Sequence, residues 1–350
     1  MKKAFSSIIL ILLLLPFYSR SVGTNNVLTD GSQPQIATDN KGVIRLVFGR
    51  SDEIFCATSV DNGITFSKPQ LVAHVPKMHL GMSRGPQLAS SAAYSIITAI
   101  DKDGDIHWFR LKHGASTWEN MGVINDLKGS APEGLMNIAA DNNNNFYAVW
   151  LDTRTGTHNQ IYFSSLPANT SRWSKNLMAY QSPDGHVCEC CQPHIAVRGA
   201  EIAIMFRNWI KGSRDLYVIK SANSGVSFAS AQKLGNDTWK LDGCPMDGGS
   251  IGINGQNQIA TTWQRKGLIY FCEPGKPEVF IGNGRNSSLA TNGANLAVTF
   301  QNNDTLKTVT LKNKKETTIG NGGFLKSTLL KNNQTLYVWE LDNKIMFKLI

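Results

Sequence analysis

The sequence predicts an all-β chain folded as a single β-propeller of seven blades, each a four-stranded antiparallel sheet. Three observations carry this expectation: a short phrase recurs along the chain, the segments after it are β-rich and end in an aromatic residue, and no long amphipathic helix pattern is present. The phrase is a short apolar strand at Pro34-Gln35-Ile36-Ala37, Pro86-Gln87-Leu88-Ala89, Asn137-Ile138-Ala139-Ala140 and Pro193-His194-Ile195-Ala196. Weaker copies begin at Gly249-Ser250-Ile251, Ser287-Ser288-Leu289 and Lys326-Ser327-Thr328. The interval is about fifty residues early and about forty late, within the range of propeller blades. If one weak late copy were an insertion, the ring would have six blades.

The second strands follow the same rule. Ile44 to Phe48, Phe146 to Trp150, Ile202 to Phe206, Ile259 to Trp263, Leu296 to Phe300 and Leu336 to Trp339 each run apolar and finish on an aromatic ring. The turns between strands are rich in Gly, Asn and Asp, which suits tight hairpins. A long repeat made only of hairpins closes as a propeller. The last copy supplies three strands, so its missing outer strand is expected from Val27-Leu28-Thr29, pairing the two ends of the chain.

Ahead of that strand, Lys2 and Lys3 precede an apolar run from Ile8 to Pro16. This run is short for a membrane span and reads as the core of a signal peptide, residues 1–23, leaving a propeller over 24–350. The protein is therefore expected to be exported, periplasmic or extracellular, with no membrane span after signal removal. The formal charge of +9 is scattered over the chain. That pattern argues against a nucleic-acid groove and mildly favours an anionic small molecule or glycan as ligand. The chain is expected to act as a monomer.

The densest chemistry is His186-Val187-Cys188-Glu189-Cys190-Cys191-Gln192-Pro193-His194, which holds three of the six cysteines. A fourth lies in Gly243-Cys244-Pro245-Met246-Asp247. In a propeller the loop leading into each first strand opens on the face where the second strand ends. These stretches lead into blades four and five, so adjacent blades should bring them together at the mouth of the central channel. Three readings stay open. Cys244 could form a disulfide with one of the triplet and brace the rim. Cys188, Cys190, Cys191 and Cys244, with His186 and Met246, could hold a soft metal, copper or zinc. The thiols could instead be redox-active. Cys56 and Cys272 fall in third strands of blades that are not neighbours and read as buried, unpaired thiols. Arg50, Arg154, Arg207 and Arg265 follow second strands on the same face, and Arg84 precedes blade two. Their forks suit a carboxylate, and Asp152 and Asp247 complete the candidate ligand-binding set.

One stretch carries a resemblance. Ser59-Val60-Asp61-Asn62-Gly63-Ile64-Thr65-Phe66 is similar to the Asp-box of sialidases and BNR-repeat proteins, Ser-x-Asp-x-Gly-x-Thr-Phe/Trp. A second copy at 221–228 lacks the Asp, and worn copies end at Thr117-Trp118 and Arg172-Trp173. The resemblance implies the sialidase-like propeller, with the boxes on the face opposite the active site. It further implies, as an alternative function, a glycoside hydrolase acting on carboxylate-bearing sugars through three arginines, a Tyr nucleophile and an acidic residue. Here Arg84 sits in Ser-Arg-Gly-Pro and not in the family's Arg-Ile-Pro, and no late Tyr with an Arg partner can be placed. Fold-level likeness does not by itself assign chemistry.

Overall fold

The computed structural model describes residues 25–350. The expected signal peptide, 1–23, lies outside the described residues. The chain forms seven four-stranded antiparallel sheets and, among the described residues, no helix. First strands of successive blades pack side by side, and the first strand of blade seven returns to that of blade one, closing the ring. This is a seven-bladed β-propeller; the six-bladed alternative is excluded.

The first strands are Ser32–Thr38, Gln87–Ser90, Met136–Ala140, His194–Arg198, Ser250–Ile253, Arg285–Asn292 and Gly323–Leu329. Each begins at or within three residues of a sequence phrase. Blade seven takes its fourth strand from Asn26–Asp30, which pairs antiparallel with Lys344–Leu349. The closure is reinforced where Gln33 N donates to Glu340 Oε2 at 3.0 Å and Gly31 N donates to Asn343 O at 2.8 Å.

Burial explains the sequence pattern. Second strands lie inside their sheets with a blade on either side, so both faces must be apolar. Every residue of Phe146–Asp152 is buried, whereas the outer strand Gln70–His74 is half open. The aromatic at the end of the second strand fills the wedge between blades: Phe48, Trp150, Phe206, Trp263, Phe300 and Trp339 are all essentially inaccessible. Blade two has Thr98 in its second strand, and Trp108 of its third strand supplies the bulk. The core is accordingly seven apolar clusters, one in each wedge between neighbouring blades.

The Asp-box closes the turn before the fourth strand of blade one. Asp61 accepts from Thr65 N at 3.0 Å and Thr65 Oγ1 at 2.6 Å, and Ser59 Oγ accepts from Gly63 N at 2.9 Å. In the blade-four copy Asn223 does the same work, accepting from Ser227 N at 3.1 Å. Both turns lie on the face opposite the loops that enter first strands, as the resemblance implies.

Candidate functional site

The loops before blades four and five meet at the channel mouth. The first is anchored by an apolar side chain and by backbone bonds. Val187 is fully buried in the wedge between blades three and four, Val187 N donates to Asn159 O, and Cys188 N donates to Arg207 O. The second loop closes on the first through Gly248, where a Cβ would lie 2.0 Å from the Gln192 carbonyl oxygen. Only glycine permits that approach.

All four cluster cysteines converge. Cys190 and Cys244 form a disulfide, their Cα atoms 6.2 Å apart, which ties the two loops together. Cys188 and Cys191 are free and buried. The Sγ atoms of Cys188, Cys190 and Cys191 stand 3.5, 3.7 and 4.0 Å apart. A metal with sulfur bonds of about 2.3 Å in tetrahedral geometry needs sulfur–sulfur edges of about 3.75 Å. The triangle matches that requirement. Met246 borders the same channel cavity as Cys190.

The electrostatics favour one thiolate. Arg214 Nη1 lies 3.0 Å from Cys188 Sγ. The contact with the Cys191 thiol draws the Cys188 pKa down, burial opposes this, and the charges of Arg214 and Arg207 carry it to about 6. Burial pushes the Cys191 thiol well above its ordinary value, with Cys188 adding to the effect. The proton between the two sulfurs therefore belongs to Cys191. In metal-free protein, the ultraviolet absorbance of thiolate should rise as pH increases through about 6, and Cys188→Ser should remove that step. A wild-type step confined to the ordinary thiol range would contradict this assignment.

Arg214 is absent from the sequence-derived set. Its signal was available, since it lies in the long hairpin after the second strand of blade four, on the cluster face. Its guanidinium stacks 4.5 Å from the Trp209 ring centroid and donates to Leu241 O.

His186, expected among the ligands, stands beside the sulfurs. It is not part of the three-sulfur group. Its ring stacks between His158 and Trp209, at 4.9 and 5.7 Å, with Nδ1 against Val187 O. A surface aromatic stack therefore holds the residue that sequence proximity suggested as a ligand.

The arginines are also placed otherwise than expected. Arg154 is bound by Asp152, Asp126 and Asn176. Arg265 is held by Glu278 and Asp237. Arg50 donates to Asp30 O and Thr29 Oγ1, and Arg84 to Glu133. Arg50, Arg154 and Arg265 each lie over an aromatic of the adjacent third strand, Phe55, Tyr162 and Tyr270, at 4.7, 4.5 and 4.4 Å. Arg207 is buried and donates to the carbonyls of Asp247, Gln264 and Arg214. The forks of Arg84, Arg154, Arg207 and Arg265 are thus engaged by the protein's own acceptors. Asp152 is buried within the Arg154 network, and Asp247 accepts from Gly249 N and Asn286 N. Both act as internal braces.

No family model matches the chain, and no curated protein matches it in sequence. Solved structures do match. An α-L-arabinanase from Penicillium chrysogenum, complexed with arabinobiose, shares 14% identity at a TM-score of 0.56, covering 93% of this chain and 97% of that one. The SapL1 lectin in complex with α-methyl fucoside shares 12% identity at 0.52, with 84% and 97% covered. The Hadza microbial sialidase Hz136 shares 10% identity at 0.51, with 91% and 65% covered. What they share is the fold. No described helix is long and apolar enough to cross a membrane.

Proposed function

We propose that this protein is an exported propeller that binds a soft metal ion, copper(I) or zinc, at the cysteine-lined channel mouth. The observation that carries the reading is the triangle of Cys188, Cys190 and Cys191 sulfurs, with edges of 3.5 to 4.0 Å beside Arg214. Arg214 and Arg207 offset the negative charge that several thiolates accumulate around one ion. Cys188 and Cys191 are the free thiols, and reduction of the Cys190–Cys244 bond releases two more, completing a four-sulfur set. The thioether of Met246 bordering the cavity of Cys190 favours copper(I), the softer ion.

The test is metal content after purification without chelators, and again after reduction and reconstitution. Stoichiometric copper or zinc is expected in the wild type, with affinity reduced at least about 100-fold in Cys188→Ser and Cys191→Ser. If the reduced wild type retains no metal, the cluster is a brace for the rim.

A second reading is carbohydrate recognition, favoured by a cleft of about 380 Å³ between blades two and three. There Arg110 lies over the Tyr94 ring, beside Asn144 and Asn169. Stacking aromatics with amide side chains suit a sugar, and proteins of this fold include an arabinanase, a sialidase and a lectin. Protection of metal-free protein from heat by a carboxylate-bearing sugar would favour it.

A further inference from the structure

We propose that the throat of the propeller, below the cysteine mouth, binds a compact monovalent anion of chloride or formate size between blades four, six and seven. The site stands on groups that the metal reading does not use. His194, Ser287 and Lys326, from the first strands of these three blades, border the inner part of the cavity that Cys190 and Met246 also line, with Asn286 and Asp247.

Their bonding is incomplete in one consistent direction. Ser287 is 5% exposed and its Oγ has no hydrogen-bond partner. The side chains of Lys326 and His194 form no hydrogen bond or ion pair among the described residues. Burial pushes the His194 imidazole down to about 3, so it stands neutral, with one N–H to offer. Burial also lowers the Lys326 ammonium below its ordinary value, with the charge of Asp247 acting against this. Asp247 does not pair with it directly: its two oxygens accept from Gly249 N at 3.0 Å and Asn286 N at 2.7 Å. The throat thus holds an ammonium, a hydroxyl and an imidazole N–H with no acceptor. Lys326 and His194 are partly buried, Asp247 acts on the ammonium without pairing with it, and an ammonium lacking a direct ion pair in such a place is costly. An anion meets all three needs at once.

Size narrows the class. The cavity measures about 30 Å³. About 10–15 Å³ of such volume holds one water, whereas pockets for sugars and drug-sized ligands run to about 300 Å³ or more. The walls carry a further feature: Asn286 and Phe324, in the first strands of blades six and seven, both take left-handed backbone at φ of 54°. Non-glycine residues rarely adopt that conformation, and clusters of it accompany binding sites.

The experiment uses the full chain, treated with chelator, in gluconate buffer at fixed ionic strength. Chloride and formate are titrated separately, following thermal unfolding and the chloride-35 line width. A saturable rise in Tm of a few degrees and broadening of the chloride line are expected, since a ligand selective for the native state stabilises it. Lys326→Met should fold, gain stability in gluconate and lose both responses. Ser287→Ala should weaken binding about fivefold, and decides the matter if Lys326→Met does not fold. A response to formate alone would assign the site to a carboxylate head group. A wild type indifferent to both anions, or an undiminished response in Lys326→Met, would overturn the proposal.

Discussion

Replacing Arg207 by Ala is expected to lower unfolding stability by roughly 4–6 kcal/mol, a large share of the usual margin of a domain. The guanidinium is 1% exposed and reaches three carbonyls on two blades. Its loss leaves the Asp247, Gln264 and Arg214 carbonyls without this donor in a buried setting, at about 1–3 kcal/mol for each left unpaired. It also leaves a cavity against Trp239. Arg207→Lys should recover only part, because a single ammonium cannot reproduce the fork to Asp247 O. The local effect reaches the cluster: Asp247 belongs to the loop that carries Cys244, and Cys188 N donates to the Arg207 carbonyl. Urea unfolding gives the stability, and thiol labelling of Cys188 and Cys191 in native protein gives the loosening. A loss below about 1 kcal/mol would show that water or rearranged loops satisfy the freed carbonyls.

The second large effect is expected at Asp152. Its carboxylate accepts from Ser130 Oγ at 2.8 Å, Trp150 Nε1 at 2.7 Å and three nitrogens of Arg154. Asp152→Ala removes one partner of a buried charged network and should cost about 3–5 kcal/mol. Asp152→Asn keeps one acceptor and should cost less. Arg154 retains Asp126, so the damage should concentrate on Trp150, whose indole N–H loses its acceptor. Trp150 is fully buried between blades two and three, and its fluorescence should report the change. Were Asp152 a ligand-contacting acid on an open face, the alanine variant would instead be nearly as stable as the wild type.

Much of the fold could be read from the sequence because its determinants are local and repeated. Pro34-Gln35 and Pro193-His194 both mark inner strands, and the aromatics Trp150, Trp263 and Trp339 mark the wedge ends. The proximity of Cys244 to Cys190 was also legible, since it follows from blade adjacency. The fates of the arginines were not. Arg265 is held by Glu278, Arg154 by Asp126 and Asn176, and Arg207 by carbonyls of its own blade and the next. The sequence shows a guanidinium at the right end of a strand but not the acceptor folded against it. The ring position of His186 was hidden for a related reason: nearness along the chain puts it beside Cys188, and the fold stacks its ring on Trp209. Ser287 and Lys326 escaped notice because unmet hydrogen-bonding capacity becomes visible only when three separate strands share one cavity.

The shared seventh blade has a kinetic meaning. Its outer strand, Asn26–Asp30, must wait for Lys344–Leu349, the most distant partner the described chain offers. Until the ring closes, Ile44, Leu46 and Phe48 of the first blade lack the cover of Leu336, Val338, Ile345 and Phe347. Pairing at such sequence distance is slow, and an uncovered apolar flank is where partly folded chains associate. The ring is thus assembled as an open arc that becomes cooperative only on closure, and residues 25–33 act as the clasp that separates a sticky intermediate from a finished molecule.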